Sequence, residues 1–500
     1  PIIVDARPLA VRQATGEYFS TCNITGAAIG SENAEDKREQ FRIDAEWTLG
    51  DHLLRFGYDH DNYQSVDGSS FEGGRIWRYD VSPAGANRVR EQIVNQGATV
   101  EVKQDAFYIE DNWSVTDRFL AYIGLRWDSF DNLNGDGDSY VKIERQFAPR
   151  LGFSWDANGD SSLKIYGNAG RYALPLTASV AIRGASASLF SRQFYSYTGV
   201  DPVTGAPIGA VPISAVQYIN GEFGGSKDPK TIASQNLDPM YQDEYILGFQ
   251  QQLTDHLNYE VKGTFRKLKA AIDDNCDYTP VTDAADAAGL DYILPNGGFP
   301  YCRMFNPGED AVYVTDLLGD GNYTTVTIPG DFLSPQAKRS YKALDLRLNG
   351  KWEKFFMTAA YTLAYSKGNT EGGVKSDIGQ DDTNVTQDFD YKELTVDTEG
   401  YLPNDRRHTF KAFGSYAFNE EWSVGANVLV QSGRPINCLG VLDLDPGPGF
   451  SPHPYGSSFM RCGTTEAGGV DDATVIAVPR GTAGRLPWTR SLDLNVAYSP

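Results

Sequence analysis

The chain has 500 residues, with 44 Lys and Arg against 66 Asp and Glu, a formal charge of −22 and a pI near 4.7. That balance excludes nucleic-acid binding, which needs a basic face, and reads as solvation of exposed loops; an acidic surface that recruits cations is the sharper alternative. No apolar run reaches the length of a membrane helix, which says nothing against membrane-crossing strands, because their apolar residues alternate with polar ones.

Taken in chain order, the sequence breaks into paired alternating segments around short turns. "FRIDAEWTL" (41–49) and "LLRFGYDHDNY" (53–63) flank "GDH". "VKQDAFYIEDNWSV" (102–115) and "RFLAYIGLRWDSF" (118–130) flank Thr116 and Asp117. "FAPRLGFSWD" (147–156) precedes "LKIYGNAGRY" (163–172), and "EYILGFQQQL" (244–253) precedes "LNYEVKGTFRK" (257–267). "YKALDLRLNG" (341–350) pairs with "FFMTAAYTLAYS" (355–366), and "HTFKAFGSYAF" (408–418) with "WSVGANVLVQ" (422–431) across "NEE". "RSLDLNVAYS" (490–499) stands alone at the end. Period two means a strand with one apolar face, and the count is about thirteen strands.

The remaining segments, 64–101, 131–146, 173–243, 268–340, 367–407 and 432–489, read as loops rich in Gly, Pro, Asp and Asn. Short and long connections therefore alternate along the whole chain. A soluble sandwich spaces its turns more evenly, a compact soluble domain seldom carries several loops beyond about 15 residues, and no propeller repeat is present. The pattern predicts an all-β fold, a transmembrane antiparallel β-barrel with short turns on one rim and long extracellular loops on the other. Strands of about ten residues match a tilted membrane crossing.

Parity assigns the polar face. Glu260, Lys262, Arg266, Asp345, Arg347, Asn427, Gln431, Asp493 and Asn495 alternate with apolar residues and are candidates to face the lumen; for any single one, simple hydration is the plainer reading. Trp47, Trp113, Trp127, Trp155, Phe355, Phe418 and Trp422 fall near strand ends, as aromatic girdles do. Arg406, Arg407 and His408 open a strand at the extracellular rim, where anionic lipopolysaccharide would meet them.

Of five cysteines, Cys276 and Cys302 share one loop segment, as do Cys438 and Cys462, which suggests two local disulfides in an oxidising compartment. Free buried thiols are the alternative, and Cys22 is left over. Five scattered His form no HExxH, and no GxSxG, P-loop or dinucleotide motif sits where it would work, so no enzyme is expected. "DNLNGDGDS" (131–139) offers Asp131, Asn134, Asp136 and Asp138 as weak Ca²⁺ ligands, but it lacks the Glu that completes an EF-hand, and an ordinary Asx turn is the plainer reading. "DLLGDGNY" (316–323) is similar, and no other cofactor is expected.

"AFYIEDNWSVTDRFLAYIGLRWDSF", "FAPRLGFSWD", "LPNDRRHTF", "SGRPIN" and "GRLPWTRSLDLNVAYS" resemble, in this order, TonB-dependent receptors of the Gram-negative outer membrane, the last three pointing to the Oar-like branch. The resemblance spans residues 38–499. It implies that residues 1–500 are an incomplete part of a 22-stranded barrel, with the N-terminal plug domain and the closing C-terminal strands outside this chain. It further implies a receptor that moves a bulky ligand with energy from the TonB–ExbB–ExbD complex, reached through a TonB box outside these residues. In such a receptor, lumen side chains line the path and hydrogen-bond the plug. A surface adhesin, an assembly scaffold and a passive porin are the rival readings.

Overall fold

The computed structural model describes residues 1–19, 28–30, 34–177, 180, 187–293, 302–380, 385–443, 453, 455–462, 465–466, 469–470 and 476–499. Cys22 lies outside them. Thirteen long strands dominate: β1 (Glu35–Leu49), β2 (His52–Phe71), β3 (Asn87–Thr116), β4 (Phe119–Leu133), β5 (Ser139–Asp156), β6 (Leu163–Ala173) and β7 (Tyr241–Thr254), then β8 (Leu257–Ala270), β9 (Arg339–Lys351), β10 (Phe355–Gly368), β11 (His408–Ala417), β12 (Trp422–Gln431) and β13 (Thr489–Tyr498). Each pairs antiparallel with the next, so order in space is order in sequence. Both faces of β1 and β13 are exposed, and each of these two strands has a single long neighbour among the described residues.

The tight turns form because short polar side chains satisfy the backbone there. At 418–421 the Asn419 carboxamide oxygen accepts from the amides of Glu421 (3.1 Å) and Trp422 (2.7 Å), an Asx turn that reverses the chain in four residues. Gly50 supplies the left-handed backbone (φ 58°) between β1 and β2.

Two expected loops are mostly strand. β2 and β3 run through 64–71 and 87–101, leaving 72–86 as the connection, and β4 and β5 run through 131–133 and 139–146, leaving 134–138. β3 is 30 residues long, far beyond a membrane crossing. Above the membrane no lipid demands an apolar face, so the alternation fades in the sequence while the ladder of hydrogen bonds continues.

The apolar face of the sheet is open rather than packed. Trp47, Phe107, Leu247, Leu492, Leu494 and Val496 are 59–68% exposed, which a water-facing wall would not tolerate at this extent. All seven girdle candidates are exposed as well. The conventional core lies instead at the long-loop rim. Phe130, Ile143, Leu176, Ile232, Met304, Phe305, Ile328 and Phe389 pack there, from the ends of β4 and β5 and the loops 174–240, 271–338 and 369–407. A second cluster joins Ile3, Trp77, Tyr79 and Val89, where strand Ile2–Asp5 runs parallel to strand Ile76–Val81, itself paired with β3.

Candidate functional site

In an antiparallel ladder, residues directly opposite one another share a face. The register sets Glu260 opposite Arg347 and Lys262 opposite Asp345 across β8 and β9, and Arg266 opposite Glu244 across β8 and β7. Parity thus brings five of the nine lumen candidates into one field of charge. Lys262 Nζ lies 3.3 Å from Asp345, Arg347 Nη1 lies 4.0 Å from Glu260, and Arg266 Nε pairs with Glu244. The Thr362 hydroxyl donates to Asp345 (2.5 Å), and the Tyr166 hydroxyl donates to Glu260. Glu260, Lys262, Asp345, Arg347 and Thr362 line a cleft of about 490 Å³ that rises to Asn404, Asp405 and Arg406 in the loop before β11.

The other four candidates stand apart. Asn427 and Asp493 are opposite each other, with Nδ2 3.5 Å from the carboxylate, while Asn495 faces Gly425 and Gln431 sits between Thr409 and Thr489. Asp493 and Asn495 are exposed on the edge strand β13. Glu244, Tyr166 and Thr362 are participants that sequence reading missed. Parity alone could have found Glu244 and Thr362, while Tyr166 needs the tertiary register.

The expected lipopolysaccharide contacts divide between two faces. Arg406 lines the polar cleft and donates to the Ser432 carbonyl (2.9 Å). The Arg407 guanidinium stands 4.0 Å over the Tyr365 ring, and His408 meets the Tyr361 hydroxyl (2.7 Å) and stacks on Trp488; the register sets His408 opposite Leu363 on the apolar face.

At the weak Ca²⁺ candidates, Asn134 Oδ1 accepts from the amides of Asp136 (3.0 Å) and Asp138 (2.9 Å), the geometry of an Asx turn. Asp131 belongs to β4 rather than to a loop and accepts from Ser139 (2.5 Å). Asp316 likewise accepts from the amides of Gly319 and Gly321.

Disulfides within the long loops and polar contacts between them hold this rim together. Cys276 is bonded to Cys302 and Cys438 to Cys462, with Cα atoms 4.2 and 5.3 Å apart. Asp388 pairs with Lys375 (3.5 Å) and Arg480 (3.3 Å), all three buried, and Arg480 also reaches the partly buried Asp377 (3.2 Å). Asp273, also buried, accepts from the Thr386 amide (2.8 Å) and hydroxyl (2.7 Å). Burial pushes its carboxyl up to about 8, against those two donors, and burial raises Asp274 beside it. No sequence signal marks this cluster, because its members come from three loops.

The wall and cap have counterparts among known proteins. Residues 10–498 match the family model described as TonB dependent receptor-like, beta-barrel. The TonB-dependent transporter Oar of Myxococcus xanthus is 24% identical over 95% of this chain and 43% of its own length, so the chain spans less than half of that relative. Among solved structures, the outer membrane transporter YddB from Escherichia coli aligns with 93% of this chain and 48% of its own, at 10% identity and a TM-score of 0.48. The ferric citrate transporter FecA aligns with 94% and 48%, at 11% identity and a TM-score of 0.44. With thirteen antiparallel strands, one apolar wall and a match over nearly its whole length, the chain belongs to the TonB-dependent receptor β-barrel family and resides in the outer membrane of a Gram-negative bacterium.

Proposed function

We propose that the protein this chain belongs to is a TonB-dependent transporter that moves a bulky ligand, a peptide or protein among the candidates, across the outer membrane. The observation that supports this reading is the charged wall of Glu260, Lys262, Asp345 and Arg347, beneath a cap whose loops are disulfide-bonded and closed by buried ion pairs. A wall of paired charges offers exchangeable polar contacts to a moving plug or ligand, and a stiff cap holds a capture surface above it. Energy would come through a plug and a TonB contact supplied by the rest of the protein, with the TonB–ExbB–ExbD complex as partner. The Oar relative is named a TonB-dependent transporter, which favours this class over an adhesin.

The test compares a strain deleted for the gene with strains carrying the full-length protein, with and without a functional TonB. Periplasmic and secreted peptides and proteins are quantified in each. A set of molecules should change compartment in the deletion and change in the same way when TonB is lost. A deletion phenotype that survives loss of TonB unchanged would assign the protein to the adhesins or porins, and solute-independent swelling of proteoliposomes would single out the porin.

A further inference from the structure

One sector of the lipid-facing wall differs from the wall formed by β1–β4. Across β7–β10 the register sets Tyr245, Phe265, Lys342 and Tyr365 in one row, and Asp243, Lys267, Ser340 and Lys367 in the next row toward the long loops. One row the other way come Leu247, Gly263, Leu344 and Leu363. Lys267, Lys342 and Lys367 are exposed, and none of them pairs with a carboxylate among the described residues. Lys342 Nζ lies instead over the Phe265 ring (5.6 Å) and Lys367 Nζ over the Tyr401 ring (4.4 Å).

Two contrasts make these cations stand out. On the polar face of the same strands, Lys262, Arg266 and Arg347 each meet a carboxylate. In β1–β4, the row above Ile43, Tyr58, Phe107 and Trp127 holds Phe41, His60, Asp105 and Ser129, with no Lys or Arg. Unneutralised lysines in a chain of charge −22, gathered at the apolar boundary, call for an anion from outside the protein.

Below the lysines the wall is dented. A Cβ on Gly263 would meet nothing nearer than the Leu247 carbonyl oxygen at 3.7 Å. Tyr245, Leu247, Phe265, Leu344 and Leu363 frame a groove there of about 620 Å³. Its apolar lining suits a hydrocarbon chain, and the ammonium groups of Lys342 and Lys367, held over the Phe265 and Tyr401 rings, stand one and two rows above it toward the long loops. An acyl chain and a basic patch together give firmer lipid binding than either alone.

We propose that this sector binds a phosphate-bearing acyl lipid of the outer leaflet, its phosphates against Lys267, Lys342 and Lys367 and an acyl chain in the groove over Gly263. The inference rests on the membrane placement of the chain and is independent of what the protein transports.

The test uses the full-length protein, purified and delipidated in detergent, with bound lipid counted by native mass spectrometry. Diphosphoryl lipid A, its dephosphorylated form and inorganic pyrophosphate serve as probes, and folding of every variant is checked by heat-dependent gel migration. Diphosphoryl lipid A should stay bound to the wild type and fall about tenfold or more in K267Q/K342Q/K367Q. It should also fall in Gly263→Leu, which fills the groove and removes no charge. K103Q/K142Q, which removes two lysines elsewhere on the same rim, should bind as the wild type does. Three results would each overturn the proposal: full retention by the triple variant, an equal loss in K103Q/K142Q, or pyrophosphate displacing the lipid at equal concentration.

Discussion

Tyr166 reaches Glu260 only because the residue beside it on β7 has no side chain. A Cβ on Gly248 would fall 2.7 Å from the Tyr166 ring and 3.0 Å from the Val261 carbonyl oxygen. Gly248→Val should therefore displace the tyrosine and destabilise the wall by about 1–3 kcal/mol, while Tyr166→Phe, which loses one hydrogen bond, should cost about 1 kcal/mol. Midpoints of heat-dependent gel migration would rank the two, and an equal loss in both would refute the packing account. Asp273 makes a prediction of opposite character. Its folded pKa, raised by burial to about 8, exceeds that of an unfolded carboxyl, so the neutral form is favoured in the folded cap. Its contribution is whole below about pH 4 and is lost as pH rises through about 8. The loop cap should be protected against protease more strongly at pH 5.5 than at pH 8.5, and Asp273→Asn together with Asp274→Asn should remove most of that difference. An unchanged pH profile in the double variant would show that this carboxyl pair is not responsible.

Among the elements, strands and loops are stabilised by different means. The strands satisfy their backbone through neighbouring strands, which is what permits a sheet in hydrocarbon, and their apolar side chains need no protein partner. The loops above must build a core of their own around Phe130, Phe305 and Phe389, and they add cross-links. The Cys276–Cys302 bond closes a separation of 26 residues, for which the chain-entropy estimate is about 3.5 kcal/mol. The double variant Cys276→Ser/Cys302→Ser should speed cleavage within 268–338 and leave the heat-dependent migration of the barrel unchanged. Loss of the barrel band in that variant would mean that cap and wall fold as one unit.

For the whole molecule, β1 and β13 each present an edge with no long partner strand among the described residues. Exposed strand edges cannot sit in hydrocarbon without backbone partners. Residues 1–500 expressed alone should therefore fail to give a heat-modifiable band in outer membranes, whereas the full-length protein should give one; a stable band from the short chain would show that its edges find each other. Local pattern was enough to specify the wall. All thirteen strands, their order and the exposed aromatics of the apolar face were legible, because period two and alternating short and long connections are local signals. Parity even placed Glu260, Lys262, Asp345 and Arg347 on one face, because a strand has only two. It misjudged 64–101 and 131–146, where strands leave the membrane and their alternation no longer has an apolar side to reveal. It split Arg406 from Arg407 no better, since residues at a strand entry lack a settled parity. Tertiary structure alone decided the cap, where Asp273, Asp388 and Arg480 meet from distant loops, and the row of Lys267, Lys342 and Lys367 above the groove at Gly263. Both depend on which residues of different strands and loops come level with one another, and only the register of the folded chain sets that.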